Sequence, residues 1–153
     1  MFDVISYAES FIQSLNIPAC SVYYDSSIDL ASIENEDWDG STVSYIGINP
    51  SAVTDYANKL NVSIKSMIHS IVAHELGHRE HFIERGYINY DNIYNIIREE
   101  RIAFMKGLKF VPPESLDTYK LINKLNIEKY KNQLQAWLTG GTTIKIKYPK
   151  CKN

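Results

Sequence analysis

Five residues, His74-Glu75-Leu76-Gly77-His78, constrain this chain more than any other stretch. They lie near the end of a long apolar-periodic segment, Val62 to Arg85, whose spacing predicts a helix. Residues four apart on a helix share a face, so the imidazoles of His74 and His78 can grip one ion. Glu75 projects about 100° away, where its carboxylate can reach a water on that ion. Ile64, Ile68, Ile71, Val72 and Phe82 fall in one stripe, with Glu75 inside it and His74, His78 and His81 along its edge. A carboxylate aimed into an apolar face needs a charged or hydrogen-bonding partner, or a proton, so solvation does not account for Glu75. Gly77 costs about 1 kcal/mol relative to alanine in a helix interior, which close approach of another backbone would explain.

An isolated histidine on a helix is ordinarily a packing or surface residue. Two at i and i+4 with a glutamate between them, late in an amphipathic helix, are better explained as metal ligands. A catalytic zinc site takes three protein ligands and leaves one position open, so a third group is required. The extended form of the motif places Gly at 81 and a ligand at 84, but this chain has His81 and Glu84. His81 is one turn beyond His78 on the same helix, too far along the axis to close a tetrahedron with His74. No histidine follows it, and His69 lies upstream on another face, where a structural role is expected.

A downstream carboxylate remains, and Glu99 and Glu100 lie on the next predicted helix, Ile93 to Lys109. Ile93, Ile96, Ile97, Ala103, Phe104 and Gly107 define its buried face. With Ile93 at zero, Glu100 projects at about 340°, inside that face, and Glu99 at about 240°, at its edge. A solvated charge cluster with Arg98 and Arg101 would account for Glu99 but not for Glu100. Ala103 and Gly107 keep the face thin, so the two helices can share an ion. Glu100 is therefore the preferred third ligand, with Glu99 as the alternative.

The remaining segments supply a scaffold. Residues 3 to 15 are helical by spacing and stop at Asn16 and Pro18. Strands are predicted around Val22-Tyr23-Tyr24 and over Thr42 to Asn49, with residues 25 to 42 between them read as a surface loop. Asn49-Pro50 opens a short helix, and Asn61 or Ser63 caps the motif helix. After Pro112-Pro113, two helices are expected, Glu114 to Leu125 and Ile127 to Leu138, separated near Asn126. The tail, Thr142 to Tyr148, alternates as an edge strand with outward lysines.

Composition narrows the function classes. At 153 residues, 44% hydrophobic and 22% charged, the sequence suits one globular domain spanning 1 to 153. Its net charge of -2 gives no reason to expect nucleic acid as a partner. No apolar run approaches the roughly 20 residues that span a bilayer, and Asp3 and Glu9 interrupt any signal-like pattern. Cys20 and Cys151 form neither a disulfide framework nor a metal spacing, so a reducing, cytoplasmic setting is the expectation.

The strand Tyr45-Ile46-Gly47-Ile48 ending in Asn49-Pro50, the His74-Glu75-Leu76-Gly77-His78 helix and the helix after it resemble the ImmA/IrrE-type metallopeptidases, compact gluzincins of the zincin clan. On that second helix Glu100, Ala103, Gly107, Phe110-Val111 and Pro113 follow the family's order, whereas Ile102 and Phe104 depart from it. The likeness covers about residues 40 to 115, with residues 114 to 153 as an extension, and no helix-turn-helix module is present. It implies an α+β, minimal zincin-like fold, with a small sheet packed on an active-site helix, a third-ligand helix and further C-terminal helices. It also implies one Zn²⁺ held by His74, His78 and Glu100, Glu75 as general base, and a specific protein substrate such as a regulatory repressor. A further oxyanion donor would be sought among Tyr87, Tyr90, Tyr94 and His81, and a peptide would lie extended on an edge strand. The rivals are a non-proteolytic metal-binding interaction protein and a zinc amidase acting on small peptides.

Overall fold

Four of the α-helices begin where a side chain satisfies an open backbone N–H. Asp3 caps α1 (Val4–Ser14) at Ser6, Asn49 caps α2 (Pro50–Leu60) at Ala52, Ser63 caps α3 (Ile64–Arg85) at Ser66, and Asn92 caps α4 (Ile93–Gly107) at Asn95. Gly86, in the left-handed region at φ 76°, ends α3. The computed structural model describes residues 1–87 and 89–140. The tail strand expected over 142 to 148 lies outside the described residues.

Among the described residues the architecture is α+β, with five α-helices and a three-stranded mixed sheet. β1 (Cys20–Tyr24) runs parallel to the central β3 (Ser41–Ile48), and β2 (Ala31–Trp38) runs antiparallel to it on the other side. The loop expected over 25 to 42 is thus corrected: Ala31–Trp38 is a strand, and Ser41 and Thr42 already belong to β3. Asp39 and Gly40 both take positive φ, 49° and 82°, and join Trp38 to its partner Ser41. That is the primed two-residue turn whose twist matches a hairpin. The segment has few apolar residues because Leu30, Ala31 and Ile33 suffice to pack it on the core, while β3 pairs its main chain along one edge.

Val22, Ile46 and Ile48 face a common core with Val4, Ala8, Phe11 and Ile12 of α1 and Val53 and Ala57 of α2. Across that core run Met67, Ile68, Ile71, Val72 and Leu76 of α3. A buried polar tether also fixes α3 to the sheet. Arg79 Nε donates to Ser44 Oγ at 3.1 Å, Ser44 Oγ donates to Asn35 Oδ1 at 2.7 Å, and Arg79 Nη2 donates to the Pro18 carbonyl at 3.2 Å.

On its other side α3 packs along α4. The approach is reciprocal. A Cβ at Gly77 would fall on the Ala103 carbonyl and 2.9 Å from the Gly107 nitrogen, and one at Gly107 would fall on the Ala73 carbonyl. Two short 3-10 turns, Leu108–Phe110 and Pro113–Ser115, then lead into α5 (Leu116–Leu138), which packs on both α3 and α4. The two helices expected here are one. Asn126 does not interrupt α5, because its side chain is engaged elsewhere and leaves the helical main chain undisturbed. No helix among the described residues is long and apolar enough to cross a membrane.

Candidate metal centre

α3 presents His74 and His78 toward α4, with their rings edge to face and centroids 4.8 Å apart. Glu100 answers from α4. Its Oε2 lies 2.8 Å from His74 Nε2 and its Oε1 3.3 Å from His78 Nε2. One ligand atom from each of the three residues falls within 4.8 Å of the others, so the group could hold a metal ion. Donor atoms about 2.0–2.2 Å from a tetrahedral zinc stand roughly 3.3–3.6 Å apart; the Glu100–His78 separation of 3.3 Å meets that spacing, and the Glu100–His74 separation of 2.8 Å is a direct hydrogen-bond distance that an ion would have to widen. The donor set, two neutral imidazoles and one carboxylate, also suits an ion of that hardness.

Electrostatics within the cluster run in opposed directions. Burial would raise the Glu100 carboxyl, but the His78 and His74 imidazoles beside it hold it well below the usual carboxylate range. Burial would likewise lower His78, yet the charge and hydrogen bond of Glu100, helped by Glu75 and Glu99, raise it. Glu75 is 8% exposed, and burial raises its carboxyl against the pull of His78 and His74. A buried carboxylate made more basic than usual, one residue from a ligand, has the character required of a proton acceptor.

The partners around the cluster orient it. Tyr90 Oη lies 3.3 Å from His78 Nδ1, and a proton on that nitrogen leaves the Nε2 lone pair for an ion. Asn126 Nδ2 donates to Glu100 Oε2 at 2.6 Å. Tyr119 and Tyr130 of α5 also reach the charged region. Burial raises both phenols, and the negative charge of Glu75 adds to it at Tyr119, that of Glu100 and Glu75 at Tyr130. Both therefore remain protonated.

One expectation from sequence is corrected. Glu99 is not in a solvated cluster at the helix edge. It is 2% exposed, with Oε2 2.6 Å from His81 Nδ1 and Oε1 3.3 Å from Arg98 Nη2. The 100° rule placed it at the rim of α4's apolar face, but α3 lies over that rim and supplies His81 as the partner. His81 thus faces Glu99 rather than the His74–His78–Glu100 cluster. Tyr87 and Tyr94 are exposed, whereas Tyr90 alone of the three tyrosines touches a cluster residue. His69 is structural as expected: Nε2 meets Tyr7 Oη at 3.0 Å and Nδ1 meets Ser115 Oγ at 2.8 Å.

Asn126, Tyr119 and Tyr130 were not anticipated as neighbours of the cluster. Asn126 carried a signal, since an asparagine in mid-helix weakens the helix unless its amide is used. Neither a protein-family model, nor a curated protein, nor a solved structure matches this chain.

Proposed function

We propose that the protein is a zinc-dependent metalloendopeptidase of the compact gluzincin kind, with the minimal zincin-like fold implied by its likeness to the ImmA/IrrE-type metallopeptidases. The observation that carries this reading is the convergence of His74, His78 and Glu100 from two helices, with the buried Glu75 one residue from the first ligand. A structural metal site is usually closed by four protein ligands and has no use for an adjacent buried base. Three donors with Glu75 beside them fit a catalytic arrangement better.

Zinc held by such a set supplies a Lewis acid that polarises an oxygen facing it. The chain's own groups handle the proton. Glu75 accepts one from the attacking water and returns it to the leaving amine as the peptide bond breaks. Burial keeps bulk water from competing for that proton and strengthens each charge–charge contact. Tyr90 and Asn126 hold the imidazole of His78 and the carboxylate of Glu100 in register. The substrate is a protein or peptide, and a regulatory repressor is the class that the family likeness suggests.

The test pairs metal content with cleavage. Wild-type protein is expected to bind one zinc and to cut members of a degenerate peptide library read by mass spectrometry. Glu75→Gln is expected to keep the zinc and lose about 10²–10⁴-fold in cleavage rate, the range for a general base. A wild type that neither co-purifies with zinc nor binds added zinc ends the proposal. Undiminished cleavage by Glu75→Gln removes Glu75 from the mechanism.

A further inference from the structure

The C-terminal helix α5 contributes to the cluster, although it carries none of its three ligands. Asn126 Nδ2 lies 2.6 Å from Glu100 Oε2, the same oxygen that faces His74 Nε2 at 2.8 Å. An ionised carboxylate only accepts hydrogen bonds, so the amide must present its NH₂ end to it. The amide is delivered from a fixed direction. Ile127, the next residue, is buried with Ile93 and Ile97 of α4, and Tyr130 and Leu134 pack against the same small cluster. Asparagine disfavours a helix interior because its amide competes for the main chain, yet α5 runs unbroken through this position. The bond to Glu100 gives the amide its use.

We infer that Asn126 is a positioning residue for the third ligand, and that α5 thereby sets the metal affinity of a site built on α3 and α4. This inference rests on the metal-site reading proposed above. Glu100 has three side-chain torsions between its main chain and its carboxylate, and two imidazoles on one opposing helix do not fix all of them. The amide approaches from a third element and selects one orientation before an ion arrives. Partners of this kind change metal affinity by about 10–100-fold when removed.

The test titrates the full-length, metal-free protein with Zn²⁺ against a chromophoric chelator and records the visible spectrum with Co²⁺. Asn126→Leu removes the donor while keeping a side chain branched at the same carbon, and Asn126→Ala removes it with the best helix former. Both variants are expected to bind Zn²⁺ about 10–100-fold more weakly than wild type. Their Co²⁺ bands are expected to shift in position or intensity, because the carboxylate is no longer held in one orientation. A purely structural role would lower the thermal midpoint of the metal-free protein and leave affinity and spectrum alone. Wild-type affinity and an unaltered Co²⁺ spectrum in whichever variant folds would overturn the inference while leaving the metal site standing. Failure of the wild type itself to bind either ion would instead end the reading on which the inference rests.

Discussion

Two adjacent glutamates on α4 each meet histidine from α3, and the two contacts are built for different ends. At Glu100 both carboxylate oxygens face imidazoles, His74 and His78, and an amide arrives from a third helix. Three donors converge there on a space that an ion can enter. At Glu99 one oxygen meets a single histidine, His81, and the other meets Arg98 from the solvent side. That contact joins two helices, and it belongs to no three-ligand group among the described residues. The difference teaches that residue type and spacing leave the two carboxylates alike; what separates them is that two imidazoles face Glu100 and one faces Glu99.

The contrast can be broken at its common support. Both contacts cross the α3–α4 interface, whose separation is set by Gly77 and Gly107. Gly77→Ala would drive a methyl group into the Ala103 carbonyl, and main chain cannot step aside as a side chain can. A loss of about 3 kcal/mol in folding stability is expected, at the upper end for overpacking, together with loss of metal binding. Denaturant unfolding and zinc titration check both, and a fully stable Gly77→Ala would contradict the close-contact geometry.

Next in size is Glu100→Gln, which is expected to lower zinc affinity by about 100-fold or more, beyond the range for an outer-shell partner. Glu99→Gln should leave zinc affinity within about threefold and cost roughly 1–2 kcal/mol of stability through its weakened contact with His81. Equilibrium dialysis of the two variants side by side decides the matter. If Glu99→Gln is the one that loses zinc, the roles assigned to the two carboxylates are reversed.

The smallest effect involves the third buried histidine of α3, whose partners are hydroxyls rather than carboxylates. Burial lowers the pKa of His69 below the ordinary 6.5, an effect countered in part by Glu114. The fold therefore prefers the neutral ring, and the unfolded chain binds more protons as pH falls through and below 6.5. The stability tied to this group is fully present above that value and declines beneath it. His69→Gln is expected to flatten the fall in thermal midpoint between about pH 6.5 and 5. An unchanged slope would show that other groups govern acid sensitivity there.

The helical half of the molecule was largely legible from sequence because a 3.6-residue apolar period survives in α1, α3 and α4, and each begins with a capping side chain. The inward placement of Glu75 and Glu100 followed from the same period. The strand β2 was not legible through apolar content, since Glu34, Glu36 and Asp37 occupy it and pairing with β3 along one edge holds it in place. Asp39-Gly40 was the available signal, a dipeptide suited to two positive φ values. The burial of Glu99 was hidden for another reason. A face angle on one helix reports nothing of how widely the next helix overlaps it, and that overlap brought His81 across. Asn126 belonged to neither period nor turn, and only the packing of α5 assigned it a partner.

The reciprocal glycine contact between α3 and α4 also has a bearing on which ions the centre admits. Side chains can rotate or compress to widen a gap, but here main-chain atoms of each helix rest where the other has no side chain. A gap set in this way behaves as a stiff calliper, and its jaws carry His74 and His78 on one side and Glu100 on the other. Calcium takes six to eight oxygens at about 2.3–2.6 Å in pliant surroundings, and this calliper offers neither the number nor the play. On the metal-site reading proposed above, small ions content with two nitrogens and an oxygen would be the ones it gauges.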